Sequence, residues 1–314
     1  MALFAPFTLA LLLAQPTPVP VAGDECTNLQ KPAAFDKATA MLAVFCAYDR
    51  EHEGILLPIE HTEDWDLEEA ETVVSPILAA HYREGAIEKA VLAVQHQALF
   101  DGEISNGHAQ TAGISIYVFQ RTDGRWSIEK RAEEALEEGQ NGKAPSVQLV
   151  KLGPERYGLW FSSADLHQGY SSQSALIVTL SETRIREVVR LNLGEDNAGT
   201  CSDDPKERVD GTHTCWAYEG TPAFIAIKGA DYYTLRVTYA GTEAVAPLSD
   251  RIRTRNFAVC LTKGAGEYNE TTDPKCAAYK ALPDREVFLG DGNGVARAKA
   301  FNMVEPEVAQ PGTR

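Results

Sequence analysis

Short segments of alternating apolar and polar residues, separated by turn sequences, fill the chain from about Lys89 to Gly241. In the clearest case, Tyr233, Leu235 and Val237 share one face of an extended chain, and polar residues occupy the other. This period of two is typical of antiparallel strands that bury one face. It predicts strands over Ala90–Gln97, Gly113–Arg121, Arg125–Arg131, Val147–Leu152, Tyr157–Ser163, Ser174–Leu180, Arg184–Leu193, Ala223–Lys228 and Tyr232–Tyr239, and a further strand over Asn256–Leu261.

The connections between these strands are short and carry turn residues. Asp123-Gly124, Gly153-Pro154-Glu155 and Gly229-Ala230-Asp231 each stand between two predicted strands. Short turns join strands that are neighbours in a sheet. We therefore predict a mainly β fold, an antiparallel meander that is either propeller-like or a sandwich, with a short helical N-terminal segment and stabilising disulfides.

A faint internal repeat aligns Val118–Trp126 with Ile177–Ile185. Each segment runs from an apolar strand through a polar turn and an Arg into a second strand. Such a repeat resembles a β-propeller blade of the kind found in FG-GAP-like proteins. The chain lacks that family's Phe-Gly and Gly-Ala-Pro residues and its Asp-rich calcium loop, so the resemblance implies architecture alone.

Before the β region, the sequence pattern is typical of helices. The spacing of apolar residues predicts an amphipathic helix over Ala33–Tyr48. Asp66–Tyr82 opens with acidic residues suited to a helix start and predicts a second helix, kinked at Pro76. A short helical piece is expected around Cys276–Leu282. These patterns divide the chain into a signal peptide (1–23), a helical N-terminal segment (24–85), an antiparallel β domain (86–300) and a disordered tail (301–314).

The N-terminus indicates export. No charged side chain occurs in the first 23 residues, and Leu3–Ala14 is apolar. This stretch is shorter than the roughly 20 residues of a spanning helix and suits a signal peptide, although no Lys or Arg precedes it. The alternative is a buried apolar N-terminal segment. We predict a secreted or periplasmic protein without a transmembrane span.

Six cysteines, an even number beyond the predicted signal peptide, support this interpretation. The chain has no CxxC motif and no His at zinc-finger spacing, which disfavours a structural zinc site. The cysteines fall into three local pairs, which suggests neighbour pairing among the fifteen possible connectivities. The predicted disulfides are Cys26–Cys46, Cys201–Cys215 and Cys260–Cys276.

The charge balance excludes one class of partner. The chain has 29 Lys and Arg against 45 Asp and Glu, a formal net charge of −16. A field of this sign repels phosphate backbones, so we expect no nucleic-acid partner.

No motif identifies a reaction. The sequence contains no GxxxxGK[ST], HExxH or GxSxG, and the GxGxG at Gly290–Gly294 lacks the surroundings that a dinucleotide site needs. The catalytic residues are unknown. This pattern favours a protein that is not an enzyme, although distant residues can still converge into a site.

The acidic segment between Gly194 and Cys215 is the one stretch that suggests a cofactor. Several carboxylates on a flexible loop can bind calcium, but no spacing here matches a calcium motif. A solvated surface loop held by a disulfide explains the composition better. We therefore predict no metal or other cofactor, and name as the calcium candidates Asp196, Asp203, Asp204 and Asp210.

Aromatic residues concentrate in the β region. Core packing accounts for most of them, but an exposed group would bind a protein, peptide or glycan partner. The residues chosen for such a surface are Trp160, Tyr170, Trp216 and Tyr218. The sequence thus predicts an exported binding or structural module without enzymatic activity. The alternative is a secreted hydrolase, or an inhibitor of one, with a loop-built site on the β domain.

Overall fold

The computed structural model describes residues 31–58, 71–100, 103–204, 206, 213–245, 251–264 and 266–271. Within these residues the chain forms one helix and fifteen strands. In chain order they are α1 (Lys37–Phe45), β1 (Ile55–Pro58), β2 (Glu71–Glu84), β3 (Ile87–Phe100), β4 (Glu103–Ile104), β5 (Ala112–Thr122), β6 (Arg125–Glu138), β7 (Ser146–Gly153), β8 (Arg156–His167), β9 (Tyr170–Thr179), β10 (Arg186–Asp196), β11 (Ala217–Ile225), β12 (Thr234–Ala244), β13 (Ile252–Thr254), β14 (Phe257–Lys263) and β15 (Tyr268–Glu270).

The helix α1 confirms the middle of the helix predicted over Ala33–Tyr48. Asp36 caps its N-terminus: the Thr39 N–H donates to the Asp36 carboxylate at 2.8 Å, and the Asp36 N–H donates to the Thr39 hydroxyl at 2.8 Å. The helix ends at Cys46, whose φ of 60° lies in the left-handed region.

The second predicted helix, Asp66–Tyr82, is wrong, because the chain from Glu71 to Glu84 forms the strand β2. Pro76 is compatible with a strand at this position. The strand β1 pairs with β2 only as far as Val74, and the pairing of β2 with β3 shifts register between Pro76 and Leu78. A proline without an N–H donor is tolerated at such an edge or bulge. Strand structure therefore begins before position 86.

The strands form two antiparallel sheets in the described part of the chain. The first sheet has the order β1-β2-β3-β5-β6, with β4 paired to β3. The second has the order β15-β14-β12-β11-β10-β9-β8-β7, with β13 paired to β12. Neighbours in sequence are nearly always neighbours in the sheet, so the predicted meander is confirmed. At the predicted β5–β6 turn, Asp123 and Gly124 have φ values of 51° and 77°, typical of a two-residue hairpin.

The two sheets pack face to face. One buried cluster combines Val91 and Ile116 of the first sheet with Phe161 and Leu176 of the second. On the opposite face, the first sheet is covered by α1 through residues such as Met41. Of the two arrangements that the sequence left open, stacked sheets correspond to the sandwich. The two repeated segments belong to the β5–β6 and β9–β10 hairpins, one in each sheet.

The second sheet curls over its own inner face. Val150 in β7 packs in the same cluster as Leu261 in β14 and Tyr268 in β15, although β7 and β15 are the opposite edges of the sheet. The Tyr233 N–H also donates to the Leu152 carbonyl at 2.6 Å, which draws the start of β12 onto β7. The sheet therefore encloses an apolar interior, as a small barrel does.

One predicted disulfide, Cys201–Cys215, is present, with its Cα atoms 4.9 Å apart. Cys46 and Cys260 are disulfide-bonded as well. The predicted pairings Cys26–Cys46 and Cys260–Cys276 each include a residue outside the described residues and stay predictions. The signal peptide, the helical piece around Cys276–Leu282 and the tail also lie outside them.

Candidate functional site

Three of the four residues chosen for a binding surface lie together at one end of the second sheet. The Tyr170 and Trp216 ring centroids are 6.3 Å apart, and the Trp216 and Tyr218 rings stack at 6.4 Å with 13° between their planes. Trp160 is fully buried, and its indole N–H donates to the Ser162 hydroxyl at 2.7 Å. Trp160 therefore belongs to the core, and its assignment to a surface is corrected. Tyr218 is buried as well, so its assignment to an exposed surface is also corrected.

Two further rings extend this group across β12 and β14. Tyr239 lies 6.2 Å from Tyr218, and Phe257 lies 5.1 Å from Tyr239. These five residues form a continuous row across the sheet, which we call the aromatic band. Its members are Tyr170, Trp216, Tyr218, Tyr239 and Phe257. Phe257 is 45% exposed, whereas Tyr218 and Tyr239 are buried, so the band runs from the interior of the curled sheet to its surface.

Strand register brings the band together. Tyr239 lies directly opposite Phe257 in the pairing of β12 with β14. On its other side Tyr239 lies opposite Gly220, where a Cβ would come within 2.7 Å of the tyrosine ring. The absence of a side chain at Gly220 therefore makes room for the Tyr239 ring.

Arg255 covers the buried part of the band. Its guanidinium carbon lies 4.0 Å from the ring centroid of Tyr218, 5.0 Å from that of Tyr239 and 5.2 Å from that of Phe257. These distances correspond to cation–π contacts with three rings at once. The Arg255 Nε is buried and has no hydrogen-bond partner in the described part of the chain.

Gly241 permits this contact. It pairs with Tyr218 on one side, and its carbonyl accepts the Arg255 N–H at 2.9 Å on the other. Its φ of 132° favours glycine, and a Cβ there would lie 2.3 Å from the Ala217 carbonyl oxygen. A side chain at position 241 would therefore collide with the backbone of β11 and disturb the pairing that places Tyr218 beside Arg255.

Glu243 fixes the position of Arg255. Its carboxylate accepts from Arg253 at 2.6 Å through one oxygen and from Arg255 through the other. Burial alone raises the pKa of the Glu243 carboxyl, but the hydrogen bonds from both arginines outweigh this effect, and the pKa is lowered overall. Burial, with Glu195 nearby, raises the pKa of Tyr218 to about 12, so this ring stays neutral beneath the cation.

Asn197 attaches the disulfide loop to the band. Its side chain is fully buried; the amide oxygen accepts the Trp216 N–H at 2.8 Å, and the amide nitrogen donates to the Thr214 carbonyl at 3.0 Å. The Asn197 carbonyl also accepts the Thr200 N–H at 2.9 Å. The backbone and side-chain polar groups of Asn197 all form hydrogen bonds within the protein. These bonds hold the Trp216 backbone in place.

The residues named as calcium candidates form hydrogen bonds within the protein, are exposed, or lie outside the described residues. One carboxylate oxygen of Asp196 accepts from the Ala198 N–H at 3.0 Å and the other from the Ser171 hydroxyl. Asp204 accepts the Lys206 N–H at 2.9 Å, an ordinary turn contact. Asp203 is exposed, and Asp210 lies outside the described residues. Across the described ranges, no group of three His, Cys, Asp or Glu side chains is placed to bind a metal ion.

An exposed apolar and basic segment follows the band along β12. Ile252 and Val245 are each 42% exposed, and Ile252 lies opposite Ala244, five residues along β12 from Tyr239. Arg251 and Arg253, with Arg255, place a basic residue at every second position of this segment. We call residues 251–255 the basic flap.

The aromatic clustering was visible in the sequence, but the roles of Arg255, Tyr239, Phe257 and Glu243 were missed. The alternating basic residues of the flap, in a chain of net charge −16, were the signal that could have revealed Arg255. The contact itself depends on strand register, which the sequence pattern does not supply.

No helix in the described part of the chain is long and apolar enough to cross a membrane. The fold and site define a class, a two-sheet antiparallel β protein with an aromatic and basic surface at the open end of its curled sheet. Comparison with protein-family models, curated proteins and solved structures gave no match.

Proposed function

We propose that this protein is an exported, non-enzymatic binding module, and that the aromatic band and the basic flap bind a protein or peptide partner. The observation that carries the proposal is the Arg255 guanidinium held over three aromatic rings at the open end of the second sheet. Trp, Tyr and Arg are the residues that most often dominate binding energy in protein interfaces. The mouth of a barrel-like sheet is also a frequent ligand site.

The charge and the exposed side chains of the basic flap indicate which side chains a partner would carry. The basic flap stands out in a protein with a net charge of −16; it includes the exposed Ile252, and the exposed Phe257 follows it two residues later. Within the described residues, the single carboxylate of Glu243 pairs with both Arg253 and Arg255. A partner that combines carboxylates with apolar side chains is complementary to this surface.

Two features support export. The first 23 residues carry no charged side chain and include an apolar stretch. The four described cysteines are all disulfide-bonded, and disulfides persist in oxidising compartments. N-terminal sequencing of the protein from culture medium or periplasm tests this part: a mature start within about the first 25 residues is expected, and an intact Met1 would contradict export.

The binding proposal is tested by selecting peptides from a random display library on the full-length protein. Phe257→Ser serves for counter-selection, and Phe100→Ser is the matched control, because Phe257 is 45% and Phe100 44% exposed. We expect the selected peptides to combine acidic and apolar residues. Their affinity should fall at least about tenfold with Phe257→Ser and stay unchanged with Phe100→Ser.

Two outcomes would contradict the proposal. In the first, the selected peptides bind Phe257→Ser as tightly as the unaltered protein. In the second, peptides show no dependence on position 257 while binding to a glycan array does, which would assign the band to carbohydrate recognition.

A further inference from the structure

A second surface, at the opposite sheet, forms a cleft of about 450 Å³. It lies between residues 31–35 and the turns that join β2 to β3 and β5 to β6. The Trp126 N–H donates to the Pro32 carbonyl at 2.9 Å, and Arg125 donates to the Lys31 carbonyl at 3.1 Å, which holds the N-terminal segment in place as one wall. A neighbouring hollow of about 440 Å³ shares Arg83, Glu88 and Arg121 with it.

The charged side chains that line this cleft are three cations, Arg83, Lys89 and Arg121, and one carboxylate, Glu88. Lys89 is nearly buried and is paired with two carboxylates, Glu84 at 2.8 Å and Glu129 at 2.9 Å, so its donors are already engaged. Arg83 and Arg121 share the single carboxylate of Glu88. The groups that the cleft offers to an anion are therefore these two guanidinium groups.

Glu88 holds both guanidinium groups beside each other. Arg83 donates to one oxygen of the carboxylate at 2.8 Å, and Arg121 donates to the other at 2.9 Å. The Arg83 and Arg121 side chains are 63% and 41% exposed, so both are accessible from solvent. The guanidinium carbon of Arg121 also lies 5.8 Å from the Trp126 ring centroid, a cation–π contact.

His81 also lines the cleft, beside Phe35 and Trp126. Its ring meets Phe35 edge-on at 5.2 Å and Trp126 at 5.4 Å. The His81 Nε2 lies 3.1 Å from the Phe35 carbonyl oxygen. A carbonyl only accepts, so Nε2 is the donor in this contact.

We propose that this cleft binds a small molecule through a terminal oxyanion, a carboxylate or a phosphate, which accepts hydrogen bonds from Arg83 and Arg121. Planar guanidinium groups donate two parallel hydrogen bonds to either oxyanion. Glu88 positions the two arginines and also competes with the ligand for them. This site is separate from the aromatic band, and neither proposal depends on the other.

The test is an NMR titration of the full-length protein with inorganic phosphate and, separately, with acetate, at constant ionic strength maintained with chloride. The Trp126 indole and the Arg Nε–H signals report on the cleft. We expect saturable shifts, and at least about a tenfold loss of affinity in Arg83→Gln/Arg121→Gln. Tighter binding of phosphate than of acetate indicates a phosphorylated ligand, and the reverse order indicates a carboxylate.

Two further variants make the result decisive. Arg131→Gln is the matched control, because Arg131 is also 63% exposed and ion-paired but lies outside the cleft. It should leave the affinity unchanged. Glu88→Gln removes the competing charge and should tighten binding several-fold. The proposal is overturned if the shifts do not saturate, if Arg131→Gln weakens binding as much as the double variant, or if Glu88→Gln weakens it.

Discussion

Asn197 shows how much a single buried amide organises in this protein. It satisfies the Trp216 N–H at 2.8 Å and the Thr214 carbonyl at 3.0 Å from a fully buried position. Asn197→Ala removes both of these buried hydrogen bonds, and we expect a loss of about 2–3 kcal/mol in the free energy of unfolding, measured with denaturant. Asn192→Ala, at an exposed position, should cost less than about 1 kcal/mol. Equal losses in the two variants would contradict this role.

Glu182 gives the stability of the protein a dependence on pH. It accepts from Lys263, whose side chain is 2% exposed, at 2.7 Å, and from Arg186 at 2.6 Å. Burial raises the pKa of the Glu182 carboxyl, but these hydrogen bonds outweigh burial, and the pKa lies below its ordinary value of 4.5. The folded state therefore binds this proton less readily than the unfolded state does. The resulting stabilisation is complete at pH values above the pKa that Glu182 has in the unfolded chain. It is lost as the pH falls through the lower pKa that Glu182 has in the folded protein.

Glu182→Gln tests this account. At neutral pH we expect a loss of about 3 kcal/mol in the free energy of unfolding, because the buried Lys263 loses its counter-ion. The variant should also lose less stability than the unaltered protein between pH 5 and pH 3. Glu187→Gln, at a more exposed ion pair, is the control. An unchanged acid dependence in Glu182→Gln would show that other carboxylates govern it.

At the scale of elements, Gly241 decides whether β12 can carry the site. Gly241→Ala puts a Cβ 2.3 Å from the Ala217 carbonyl at a φ of 132°, and we expect a loss of about 1–3 kcal/mol together with a changed Trp216 fluorescence spectrum. Gly264→Ala, whose nearest neighbouring atom would be 3.6 Å away, should have little effect on either. A Gly241→Ala variant with unaltered stability and fluorescence would contradict the requirement for glycine where β12 approaches the backbone of β11.

The strands were predictable because one-sided burial imposes a period of two on the sequence. The pattern failed at β2, where Pro76 and the run Ile77–Ala80 resemble an interrupted helix, and only the pairing with β3 explains the strand. The same limit applies to the site. Trp216 and Tyr218 stand close in sequence, but the contact of Tyr218 with Arg255 arises from the register of β11 and β12 and cannot be read from spacing.

At the scale of the whole molecule, the two sheets separate two kinds of surface. The second sheet carries the aromatic band at its open end, and the first sheet carries the cationic cleft beside its β2–β3 turn. The protein as a whole is acidic, with a net charge of −16. Basic groups clustered in these two places favour recognition of acidic ligands there.

The most direct test of the binding surface is photo-crosslinking with a peptide from the display selection. A photoreactive phenylalanine analogue replaces Phe257 in one protein and Phe100, of similar exposure, in the other. We expect the peptide to crosslink at position 257 and not at position 100, and unlabelled peptide to abolish the crosslink. Crosslinking at position 100 alone, or equally at both positions, would show that the aromatic band is not where the partner binds.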